Sequence, residues 1–101
     1  MPPSNHDVQQ YERMRDVLDA FQLRNVEMGK MIADLETLLR SLTNADQSWK
    51  EAFYREWALL DDIYAVAVDR GYSRIPAEQQ KLVDKAVQKL IILVNNGNAE
   101  A

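Results

Sequence analysis

Between Trp49 and Val68 apolar residues recur at helical spacing so densely that more than half of the helix circumference is non-polar. At about 100° per residue, Trp49, Phe53, Trp57, Leu60, Tyr64 and Ala67 form one face. Ala52, Leu59, Ile63 and Val66 widen that face on one side and Val68 on the other. A helix this apolar has to be covered from several directions, so the sequence predicts it as the central helix of an all-α domain.

The rest of the chain is punctuated for helices. There are only three Gly and three Pro in 101 residues, and no alternating strand pattern of useful length. Pro2 and Pro3 precede the first helix, Gly71 and Gly97 follow later ones, and Pro76 opens the last. Ser4 caps the first helix, with Asp7 three positions on as a capping-box partner. Thr43 to Ser48 is a turn cluster in which Asn44, Asp46 or Ser48 can cap the next helix.

The first forty residues hold a seven-residue frame. Tyr11, Leu18, Ile32 and Leu39 form one row; Met14, Phe21, Met28, Leu35 and Leu42 form the other, and Asn25 interrupts the first. The unbroken phase supports one continuous helix. Asn25 as N-cap and Glu27 in a first turn support a break near residues 22–28. The predicted architecture is a small antiparallel up-down bundle of three long helices, or four with the break. As four, the helices fall at residues 4–22, 26–43, 46–70 and 76–95, in a single domain with polar tails. Asn95, Asn96 and Gly97 end the last helix.

The predicted core contains Phe21, Leu35, Leu39, Trp49, Phe53, Trp57, Leu60, Tyr64 and Leu90. Met14, Met28 and Met31 share a stripe and read as pliable gap-fillers. Two polar residues interrupt the apolar faces. Glu56 falls between Trp49, Ala52, Leu60 and Ile63, where a carboxylate is either paired with a cation from another helix or protonated. Asn25 reads as a register-setting buried polar residue or as a cap.

The inventory for catalysis is thin, and no catalytic, cofactor-binding or metal-binding residue is assigned. The absence of Cys removes disulfides and thiolate chemistry, and it suits a cytoplasmic setting. The single His, His6, sits at the start of the first helix and reads as a solvated residue at a frayed end. Carboxylate metal sites in bundles use Glu-x-x-His pairs, which are absent. Asp61 and Asp62 are adjacent and point about 100° apart, poor geometry for a shared ion. A net charge of −4 disfavours nucleic acid. The longest apolar run, Leu90 to Val94, falls far short of the roughly 20 residues of a membrane span.

That run is apolar all the way round. Leu90, Leu93 and Val94 can face inward while Ile91 points sideways and Ile92 outward, which marks Ile91 and Ile92 as a candidate interface.

Trp49, Phe53 and Trp57, followed by Tyr64-Ala65 and Asp69-x-Gly71, resemble a pattern of short uncharacterised bacterial all-helical proteins. The stretch Phe21 to Leu42, with Ala33-Asp34-Leu35-Glu36 and Leu38-Leu39, is similar to the segment that precedes it there. The likeness covers about residues 11–94. In size, acidity and helicity the chain also resembles immunity proteins of bacterial toxin systems. That resemblance implies a non-enzymatic protein-binding module that meets a basic toxin domain, and it carries over no functional residue. The alternative is a homodimeric structural or regulatory subunit.

One consequence concerns the core alone. Trp57→Ala is expected to cost about 3–5 kcal/mol in denaturant melts, the range for deleting a large buried aromatic. A loss below about 1 kcal/mol would place Trp57 at the surface.

Overall fold

Four helices follow one another in the computed structural model, which describes residues 4–72 and 74–99. They are α1 (Asn5–Gln22), α2 (Met28–Ser41), α3 (Gln47–Asp69) and α4 (Ala77–Ala99). Among the described residues there is no strand. Pro2 and Pro3 lie outside the described residues. Short connections force each helix to run back along its predecessor, giving an up-down bundle. Around the ring α1 packs on α2 and α4, and α3 packs on α2 and α4, while the diagonal pairs keep their backbones apart. The two 23-residue helices, each about 35 Å long, account for the 44 Å long axis.

Met14, Leu18, Met31, Leu35, Phe53, Leu60, Val83, Val87 and Leu90 fill the middle and are fully buried. Of the predicted core, Leu35, Phe53, Trp57, Leu60 and Leu90 are buried, while Phe21, Leu39, Trp49 and Tyr64 are half-buried and pack against the core from its edges. The two tryptophans each satisfy their indole N–H on a neighbouring helix. Trp57 Nε1 donates to Ile32 O at 2.8 Å, and Trp49 Nε1 donates to Leu93 O at 2.7 Å.

The expectation that α3 is central is corrected. Each helix in a square bundle has two neighbours, so part of every helix stays at the surface. In α3 this leaves Val68 60% and Val66 40% exposed. The width of its apolar face does not translate into a central place.

The break in the first helical segment is real, and its chemistry differs from the expected N-cap. Leu23 ends α1, and Arg24 takes the left-handed conformation with φ of 62°. Arg24 N–H then donates to Phe21 O, and Asn25 N–H donates to Ala20 O at 2.8 Å. This is a Schellman turn with Arg where Gly is usual. Asn25 therefore closes α1 rather than opening α2, and it is exposed rather than buried. The N-cap of α2 is Glu27, whose side chain makes no capping bond. The same turn ends α3 with the expected residue: Gly71 has φ of 69°, and Tyr72 N–H donates to Ala67 O at 2.9 Å.

The last helix also runs further than expected. Gly97 lies inside α4 and is buried, not a stop. A methyl group there would come within 2.9 Å of the Tyr11 ring and 3.2 Å of Trp49 Nε1. Glycine is needed because two aromatic rings lie directly on the backbone. Those rings continue into Phe53: Tyr11 meets Trp49 edge-on at 5.4 Å, and Trp49 stacks on Phe53 at 5.3 Å. At the other end of α4, Pro76 O accepts from Gln80 N–H, so Pro76 is the cap and not the first helical residue.

Ser4 caps α1 by accepting from Asp7 N–H at 3.2 Å. The Asp7 side chain does not return to Ser4. It crosses to the α2–α3 connection, where it accepts from Thr43 N–H at 2.9 Å, Thr43 Oγ1 at 3.0 Å and Asn44 N–H at 2.7 Å. Beside it His6 is not frayed: its Nε2 donates to Ser41 O at 2.9 Å, satisfying a carbonyl at the end of α2.

Asp7 is fully buried. Burial alone pushes its carboxyl up, but the bonds from Thr43 and Asn44, aided by His6, outweigh this and hold it below its ordinary value. A depressed carboxyl contributes stability above its unfolded pKa of about 3.9, and that contribution is lost as pH falls through the folded value. Asp7→Asn puts an amide donor among these donors and is expected to cost about 2–3 kcal/mol at pH 7. The deficit relative to wild type should shrink as urea melts are repeated below about pH 4. A deficit constant across that range would count against the ionised clamp.

The two Schellman turns allow a paired test. Arg24→Gly relieves a left-handed side chain and is expected to raise stability by about 0.5–1 kcal/mol, while Gly71→Ala lowers it by about 1 kcal/mol. Thermal melts showing that Arg24→Gly destabilises would mean the Arg24 side chain stabilises the turn.

Candidate functional site

The least intimate neighbours in the ring are α2 and α3. A cleft of about 740 Å³ opens between them. Leu39 and Arg40 form its α2 side, and Gln47, Lys50, Glu51, Tyr54, Arg55 and Ala58 its α3 side. Leu39 and Ala58 are half-buried and pack against the core below, so the floor is apolar and rigid.

Tyr54 is the exposed aromatic of this cleft, at 56%. Its ring stacks on Trp57 at 5.5 Å with 27° between planes. Trp57 is in turn held by its bond to Ile32 O. An exposed ring supported in this way loses little conformational freedom when a partner covers it.

The cleft also has its own charge. Arg40, Lys50 and Arg55 face one carboxylate in the lining, Glu51. Arg40 pairs with Glu36 at 3.3 Å, both on α2. Among the described residues neither Lys50 nor Arg55 has a carboxylate within 4.0 Å. Glu51 accepts from Gln47 Nε2 at 3.4 Å. A chain of net charge −4 thus carries a locally basic cleft.

The residues singled out by sequence lie elsewhere and do not converge. Ile92 is 57% exposed on the outer side of α4, whereas Ile91 is half-buried against the core. They form no common patch, because adjacent helical residues point about 100° apart. Glu56 is half-buried with Oε1 4.0 Å from Lys89 Nζ on α4. The Lys89 side chain is 63% exposed, and an ion pair of that reach contributes little. Asp61 is half-buried and Asp62 exposed. Among the described residues no three metal-ligating side chains come together, and no helix is long and apolar enough to cross a membrane.

Tyr54 and its neighbours escape a reading based on the apolar stripe, because they lie outside it. Their signal is a row at 4-3-4 spacing: Gln47, Glu51, Tyr54 and Ala58. Such a row becomes a site only where α2 packs loosely against it. Comparisons with protein families, with characterised proteins and with solved structures find no match to this chain.

Proposed function

We propose that this chain is a non-enzymatic protein–protein interaction module, with the α2–α3 cleft as its docking surface. The observation that supports it is Tyr54, an exposed aromatic fixed by stacking on Trp57 above an apolar floor. Rigid aromatics rimmed by cations are the usual anchors of protein interfaces. The most concrete form of such a module is the toxin-neutralising immunity protein suggested by size, acidity and helicity. In that form the whole-chain charge of −4 steers a basic toxin domain. The cleft itself has the opposite sign, which favours the general reading over that form.

Affinity capture from source cells with the wild type and with Tyr54→Ala tests the reading. The expected result is a partner recovered by the wild type and lost with the variant, at unchanged far-UV helicity. Recovery of the same partner by both would move the docking surface elsewhere.

A second reading rests on Ile92, whose side chain stands free on α4. Burying it against a second copy would be worth roughly 1.5–3 kcal/mol. Light scattering decides: a dimer that Ile92→Glu splits supports a self-associating subunit, and a monomer throughout supports the binder.

A further inference from the structure

We infer that the occupant of the α2–α3 cleft is an amphipathic helix of a partner protein, with apolar anchors on one face and carboxylates along its flanks. The inference rests on the protein-binding reading and deepens it. The helical form follows from the row Gln47, Glu51, Tyr54 and Ala58, which runs along α3 for roughly 16 Å. That matches about three turns of a helix laid beside it, with anchors at 4-3-4 spacing. A segment that binds as an added strand would need an open sheet edge for its backbone bonds, and the lining here is helical throughout.

The flanking charge follows from the lining. Arg40, Lys50 and Arg55 surround the apolar floor, with Glu51 in the lining and Glu36 on Arg40 as the carboxylates beside them. Lys50 and Arg55 have no carboxylate within reach among the described residues. A carboxylate brought by a partner completes these pairs where solvent is partly displaced, and a lysine there is repelled. The same charges argue against a second copy. A two-fold contact through this cleft would set Arg40, Lys50 and Arg55 against their own equivalents.

The probe is a phage-displayed library of helix-forming peptides about 14 residues long, selected on the immobilised full chain. The enriched peptides are resynthesised with a fluorophore for anisotropy. The expected peptides are acidic, carry large apolar residues at 4-3-4 spacing, and gain helicity on binding. Their affinity should fall at least about tenfold for the double variant Lys50→Glu/Arg55→Glu, and similarly for Tyr54→Ala, with the fold intact by circular dichroism. Basic or non-helical peptides that still depend on Tyr54 would overturn the acidic helix and leave the binding module standing. Peptides indifferent to all three substitutions would overturn the cleft as the site. No enrichment at all would count against both readings. A wild-type dimer that the charge-reversed variant splits would show that the cleft takes a second copy, and would overturn the inference as well.

Discussion

The bundle is closed at one end by a single buried carboxylate. Asp7 holds the start of α1 to Thr43 and Asn44, the connection between α2 and α3. Helices pack along their sides, but the polar groups at their ends still need partners. Asp7 supplies three acceptor contacts to the turn, while His6 covers the carbonyl of Ser41, the last residue of α2. Because the turn is tied down, α3 starts at a defined height against α1. The stack of Tyr11, Trp49 and Phe53 follows from that height, and so does the close approach of Tyr11 and Trp49 to Gly97.

The opposite end is organised by strain rather than by charge. Arg24 in a left-handed turn reverses the chain between α1 and α2 within five residues. The cleft beneath Tyr54 lies toward the Asp7 end instead, where the last turn of α2 packs loosely on the first half of α3. Trp57 then has two roles. Its indole N–H holds α3 to Ile32 O, and its ring supports Tyr54 from beneath. The core and the cleft therefore share a residue, and the core can be packed tightly while the cleft above it stays open.

Charge is distributed by the same geometry. The chain is acidic as a whole, and among the described residues its ion pairs at i,i+4 spacing, Arg15–Asp19, Lys30–Asp34 and Arg40–Glu36, lie on α1 and α2. Such pairs contribute little singly but neutralise those faces. On α3, Lys50 and Arg55 are left over beside the cleft, so the local charge there opposes the net charge of the chain.

The helical class, the turn at Gly71, the cap at Ser4 and the buried row of Phe53, Trp57 and Leu60 were legible in the sequence, because periodicity and backbone chemistry act locally. Gly97 and Asn25 were not. A glycine under two aromatic rings looks the same in sequence as a glycine that ends a helix, and a turn closed by Arg24 hides behind an unbroken seven-residue frame. Asp7 read as a local capping residue, while its carboxylate serves a turn 36 residues away. The cleft was least visible, since Tyr54 and Ala58 lie outside the apolar stripe of α3. By itself the sequence determined which residues become helical and which side of each helix prefers the interior, through forces that reach one or two turns. Only the tertiary structure decided which apolar residues stay uncovered, because that depends on the length and height of neighbouring helices.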